Sequence, residues 1–178
     1  MKFERTIFDG LWIVEIESAV DERGSFARTF CADEFAAHGL QTAWAQTNIS
    51  RNSLRGTLRG LHFQSGPQPE VKLIRCTAGA IFDVVVDVRR DSPTFGRWQG
   101  FELTATSGRA LHVPGGFAHG IQAITDDAEV SYMMSTAYDP GLARGIRWDD
   151  PAVGIKWPLL PIAISPRDRA LPLLAELA

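Results

Sequence analysis

The stretch VKLIRCTAGAIFDVVVDV, Val71 to Val88, decides how the chain is to be read. Two runs rich in β-branched residues, Val71–Cys76 and Ile81–Val88, flank the turn signal Ala78–Gly79. Such runs on either side of a tight turn predict two strands joined as a hairpin. Alternation in FDVVVD places Asp83, Val85 and Asp87 on one face and Phe82, Val84 and Val86 on the other. Both faces are then partly apolar, as in the interior of a sandwich. Further turn signals recur outward from here, at Asp21–Gly24, Gly66–Pro69, Asp91–Pro93, Ser107–Gly108, Pro114–Gly116, Asp126–Asp127 and Asp139–Gly141. Between them Leu11–Ile16, Arg109–Val113, Gly120–Ile124 and Glu129–Thr136 read as strands. Helix signals are few. Ala32–His38 precedes Gly39, which suits a left-handed stop. Ser165-Pro166 reads as N-cap and first helical position, with a turn over Arg167–Leu171 that Pro172 ends. The pattern predicts an all-β fold, a double-sheet jelly roll with short flanking helices, in one domain over residues 1–178.

Composition narrows the function classes. A net charge of −3 leaves no electrostatic footprint for nucleic acid. Cys31 and Cys76 form no CxxC and no zinc-like spacing, so they read as free thiols in a reducing compartment. No apolar run approaches the roughly 20 residues of a membrane span. Met1–Asp9 lacks a signal-peptide core. The expected location is the cytoplasm.

Several side chains are candidates for chemistry. In LRGLHFQ, Leu58–Gln64, His62 sits on a predicted strand. It reads as a general base near neutral pH or as a satisfied core histidine, and both readings stand on this stretch alone. Lys72 opens an apolar strand; pointed inward it needs a partner or an anionic ligand, pointed outward it needs neither. Asp83 can orient a histidine or lysine, or cap backbone amides. His112 and His119 flank the Pro-Gly-Gly turn and invite a metal reading, but no HxH occurs anywhere, so no metal is expected. Tyr132 lies in a predicted core strand, where a phenol can donate a proton or simply find a partner. Asp168 in SPRDR falls in the first turn of the terminal helix, where dipole compensation alone accounts for it.

Taken together these pieces carry a resemblance. DERGSF (Asp21–Phe26), QTNIS (Gln46–Ser50), LRGLHFQ, KLIRC (Lys72–Cys76), IFDVVVDVR (Ile81–Arg89), DSPTFGRW (Asp91–Trp98), VPGGFAHG (Val113–Gly120), Tyr132, IRWDDPAVGIKWP (Ile146–Pro158) and SPRD (Ser165–Asp168) occur in this order. From about Phe3 to Leu174 the chain resembles the dTDP-4-dehydrorhamnose 3,5-epimerase family. The resemblance implies a cupin-like jelly roll, a homodimer with exchanged strands, a nucleotide-diphosphate sugar as substrate, and no metal or other cofactor. It implies that His62 is the catalytic base, paired with Asp168, that Lys72 stabilises the enolate oxygen, and that Tyr132 donates a proton from the opposite face. It implies substrate contacts from Arg23, Phe26, Arg28, Gln46, Asn48, Arg59, His119 and Tyr138. Alternation, however, sets Arg59 and His62 on opposite faces of a regular strand. A bulge at Gly60, or a dimer in which Arg59 serves the neighbour, would reconcile them.

The chain also departs from the family. Arg28 stands where a glutamate is usual and has donors only; it either suits cytosine acceptors and a CDP-linked sugar, or turns away to a phosphate or solvent while thymine is held otherwise. Gly115 replaces the glutamate of PEGFAHG, Met133 a common lysine, and Pro69-Glu70-Val71 a common AQG. The expected activity is epimerisation at C3, C5 or both of a nucleotide-linked 4-keto-6-deoxyhexose. The alternatives are a nucleotide-sugar 3,4-ketoisomerase, which shares the base and the enolate, and a non-catalytic sugar-binding jelly roll.

Overall fold

The structure, a computed structural model, describes residues 1–67 and 69–177. Gln68 of the turn read at Gly66–Pro69, and Ala178, lie outside the described residues. In chain order the elements are β1 (Lys2–Arg5), β2 (Trp12–Glu15), β3 (Ser18–Asp21), β4 (Gly24–Ala27), α1 (Ala32–Ala37), β5 (Gln46–Asn52), β6 (Leu58–Gln64), β7 (Lys72–Ala78), β8 (Ala80–Asp87), β9 (Trp98–Thr104), β10 (Arg109–Val113), β11 (Phe117–Ala123), β12 (Ala128–Met134), β13 (Ala143–Gly145) and α2 (Pro166–Arg169). Among the described residues they form a sheet ordered β1-β2-β10-β7-β12-β5, a sheet ordered β13-β6-β11-β8-β9, and a ribbon of β3 with β4. Every named pair is antiparallel. The fold is the expected jelly roll. No helix of the structure is long and apolar enough to cross a membrane.

Alternation explains how the sheets pack. Ile74 and Cys76 of β7, Ile81 and Val85 of β8, Ile121 of β11 and Val130 of β12 point inward and form the core between the sheets. The intervening residues are apolar too, because both outer faces are covered. Leu73 packs with Phe35 of α1 on one side. Val84 and Val86 pack with Ile146, Val153 and Leu174 of the C-terminal segment on the other. The two-faced reading of β8 therefore holds.

The expected hairpin does not form. β7 pairs with β10 and β12, and β8 with β9 and β11, so the two runs lie in different sheets. Gly79, at φ 66°, carries the chain across the sandwich where a Cβ would collide with Thr125 Oγ1. Each run has an inward apolar face, and these faces meet across the core instead of lying side by side. The helices are as read but shorter. His38 caps α1, Gly39 follows at φ 69°, and α2 ends at Arg169.

Toward one end of the sandwich the inward positions turn polar: Lys72 shares its parity with Ile74, Asp83 with Val85, His119 with Ile121 and Tyr132 with Val130. β6 joins this end by breaking alternation. Its register against β11 runs from His119 opposite His62 to Ile121 opposite Arg59, so Gly60 and Leu61 together face Gly120. This bulge turns both Arg59 and His62 inward, and the sequence doubt about their faces is resolved within one chain. Gly60 is required there: its φ is 119°, and a Cβ would lie 2.6 Å from Gly120 Cα and 2.8 Å from His119 O.

A second anchor is Asp87, fully buried at the end of β8. Burial alone would raise its carboxyl, but donors from Arg89, Ser92 and Thr94 outweigh this and hold it at about 2. They fold the segment leading to β9 around it.

Two stability predictions follow from these anchors. Gly60→Ala lowers urea stability by about 2 kcal/mol or more. Gly24→Ala loses clearly less, because Gly24 has a similar φ of 120° but nothing within 4 Å of its Cβ position. Asp87→Asn costs on the order of 2 kcal/mol at pH 7. An acid depressed on folding stabilises above its ordinary value, 3.8, so the gap between wild type and variant closes as pH falls from about 4 toward 2.

Candidate active site

The polar end of the sandwich is a cavity of about 820 Å³. His62 enters it from β6, with its side chain 40% exposed. Its Nε2 lies 2.7 Å from Asp168 Oδ1. Asp168 comes from α2 and is itself buried. Its second oxygen accepts the Gly60 N–H at 3.1 Å, and its own N–H donates to Ser165 Oγ at 3.0 Å. Burial would raise this carboxyl; the bond to His62, its charge, and the Gly60 amide outweigh it and keep the acid below its ordinary range. An ionised carboxylate only accepts, so Nε2 donates to it, and in the neutral ring Nδ1 keeps the lone pair.

Lys72 enters from β7 and is buried. Its Nζ donates to the His62 carbonyl at 3.2 Å and pairs with Glu70 Oε2 at 3.1 Å. Tyr132, from β12 in the opposite sheet to His62, shares a hydrogen bond with Ser50 at 3.3 Å. Burial pushes its phenol up to about 12, against the Ser50 bond. The phenol therefore holds its proton at neutral pH. His119 Nε2 meets Asp83 Oδ2 at 2.8 Å, and its ring stands edge-on to Tyr132 with centroids 6.1 Å apart. Burial raises the Asp83 carboxyl, opposed by His119.

Around the rim, Arg59 Nε donates to Asn52 Oδ1 at 2.8 Å. Gln46 and Asn48 both donate to Met134 Sδ, at 3.3 and 3.2 Å. Tyr138 is exposed, and its N–H donates to Gln46 Oε1 at 2.9 Å. Gln64 anchors the segment that carries it, accepting from Asp139 N–H and donating to Ala137 O. Among the described residues no group of three or more His, Cys, Asp or Glu side chains is placed to hold a metal. His112, the other histidine of the PGG segment, lies elsewhere, between Gly10 O and Gln41 N.

Three expected residues do not line the cavity of their own chain. Arg23 pairs with Asp21 at the tip of the β3–β4 ribbon, and Phe26 is 79% exposed on the same ribbon. Arg28 follows the ribbon and pairs with Glu34 at 3.5 Å. Glu70 and Ser50, conversely, line the cavity without having been singled out as site residues. The departure at Pro69-Glu70-Val71 was the available signal for Glu70; a serine within QTNIS gives none for Ser50.

This arrangement can take a proton on one side of a bound molecule, return one on the other, and present a cation to it. Comparison with known proteins shows the family. The family model described as dTDP-4-dehydrorhamnose 3,5-epimerase matches residues 5–176. A dTDP-4-dehydrorhamnose 3,5-epimerase of Methanothermobacter thermautotrophicus is 44% identical, over 94% of this chain and 91% of its own. A dTDP-4-dehydrorhamnose 3-epimerase of Streptomyces niveus is 42% identical, over 94% and 81%. Among solved structures, the dTDP-6-deoxy-D-glucose-3,5-epimerase of Legionella pneumophila, in complex with dTDP-4-keto-L-rhamnose, superposes with a TM-score of 0.94 at 38% identity, covering 99% of this chain and 94% of that one. Fold, cavity and sequence thus converge: the chain belongs to the dTDP-4-dehydrorhamnose 3,5-epimerase family of isomerases.

Proposed function

We propose that the protein inverts C3, C5 or both of a dTDP-linked 4-keto-6-deoxyhexose, acting as one domain in the cytoplasm. The observation that carries this reading is the placement of His62 and Tyr132 on opposite sheets around one cavity, which Lys72 also lines. A hydrogen beside a ketone is acidic because its loss leaves an enolate. His62 Nδ1 takes that hydrogen, and Asp168 stabilises the imidazolium that forms. Lys72 faces the ketone oxygen as it gains charge. Tyr132 returns a proton to the other face of the carbon, which is what turns exchange into inversion. A 4-ketone activates both neighbouring carbons, so one site can serve either. Each step moves a proton, and none requires an electron acceptor. The two free cysteines suit a reducing compartment.

The protein works as a homodimer. The ribbon of β3 and β4 carries exposed Val20 and Phe26, and the sheet edge at β5 exposes Ile49. Ribbons exchanged between two copies cover this apolar surface and deliver Arg23, Phe26 and Arg28 to the neighbouring cavity. Arg28 then bears on the base. Its donors suit cytosine acceptors, which keeps a CDP-linked substrate as the second reading.

Proton NMR in deuterated water tests these statements together. The wild type incorporates deuterium at C3, C5 or both of dTDP-4-keto-6-deoxyglucose, and His62→Ala slows this by at least about 100-fold. Faster turnover of the CDP-linked sugar would assign the donor to Arg28. Mixing His62→Ala with Arg23→Ala chains restores part of the activity if the ribbons are exchanged. Absence of exchange with either donor would contradict the epimerase reading.

A further inference from the structure

Two departures from the family, 46 positions apart in the chain, meet in space. A Cβ on Gly115 would lie 2.5 Å from Pro69 Cβ and 3.0 Å from the Pro69 carbonyl oxygen. Neither atom can swing aside, as the tip of a long side chain could. The missing side chain at 115 therefore makes room for the proline at 69. Pro69 in turn fixes the entry of the next residue. Glu70 turns into the cavity, only 7% of its side chain exposed, and sets Oε2 3.1 Å from Lys72 Nζ.

We infer that Glu70 is a positioning residue for Lys72, fixing the direction of its ammonium, and that the contact between Gly115 and Pro69 seats it. The inference rests on the epimerase reading proposed above. An ammonium has three protons. The His62 carbonyl accepts one at 3.2 Å and the Glu70 carboxylate pairs with the charge at 3.1 Å, so the ammonium is held from two directions with a proton left for the bound sugar. Without Glu70 a flexible four-carbon stem would have to hold that aim through a single backbone contact. The groups around the ammonium come from every neighbouring element: Glu70 ahead of β7, His62 on β6, Asp83 on β8, His119 on β11 and Tyr132 on β12. Asp83 is already engaged by His119, which leaves Glu70 as the carboxylate in contact with Lys72.

Glu70 also has a cost, since a carboxylate beside Lys72 weakens its pull on an enolate. Removing the charge and removing the side chain should therefore differ. Glu70→Gln keeps an oxygen beside the ammonium but removes the counter-charge. Its kcat at pH 7 stays within about threefold of wild type. Glu70→Ala loses the aim as well, and kcat falls about tenfold or more with KM within about twofold. Gly115→Ala, by shifting Pro69, lowers kcat in the wild-type background and has no further effect in Glu70→Ala.

Deuterium exchange and epimer formation, measured at pH 7 on the four proteins and the double variant, decide the matter. A kcat in Glu70→Gln as low as in Glu70→Ala, or an unchanged kcat in Glu70→Ala, overturns the inference. A loss confined to KM overturns it too and makes Glu70 a sugar contact. Additive effects of Gly115→Ala and Glu70→Ala overturn the seating by Pro69. Wild type that exchanges no proton removes the epimerase reading and this inference together; normal wild-type exchange with indifferent Glu70 variants removes only the latter.

Discussion

The carboxylate of Asp168 ties together three features that alternation and propensity cannot connect. One oxygen holds His62 Nε2 and the other holds the Gly60 amide, while the residue's own N–H closes the N-cap of α2. The bulge that turns Arg59 and His62 to the same side is thus pinned by the group that orients the base. An α2 displaced from β6 would free the imidazole and leave a buried amide without its acceptor. The cavity is preorganised for this reason: its base, its bulge and its lid of terminal chain are one hydrogen-bonded unit.

The rest of the site follows from the cost of burying charge. Inward positions at this end of the sandwich would be apolar in a jelly roll built only to fold. Here they are ionisable, and each of these basic groups meets a carboxylate: His62 with Asp168, Lys72 with Glu70, His119 with Asp83. Pairs like these add little net stability compared with apolar packing, but removing one partner strands the other. Asp83 Oδ1 remains without a hydrogen-bond partner, the kind of local cost that sites carry and cores avoid. Stability resides at the other end, in the apolar rows of β7, β8, β11 and β12.

Much of this was legible in the sequence, because alternation is a local property. The two faces of β8, the jelly roll and the capped turn at Ser165-Pro166 follow from residue order alone. The hairpin at Gly79 was misread for the same reason: a tight turn between β-rich runs looks identical whether the chain stays in one sheet or crosses to the other. Distinguishing them requires knowing that both runs bury a face against each other. The pairs of His62 with Asp168 and His119 with Asp83 were illegible from spacing, since their partners lie far apart in the chain. Resemblance gathered those residues, but it could not say that Arg23, Phe26 and Arg28 lie away from their own chain's cavity. Glu70 was visible as a departure; only its contact with Lys72 gives it a meaning.

The central claim is that abstraction and return of the proton occur on opposite faces, from opposite sheets. The most direct test is Tyr132→Phe, followed by NMR with dTDP-4-keto-6-deoxyglucose in deuterated water. The account predicts that deuterium still enters the carbon beside the ketone, because His62 and Asp168 are untouched, while formation of the inverted sugar falls by at least about 100-fold. Inversion at the wild-type rate would show that the second proton comes from elsewhere, and would contradict the two-face account.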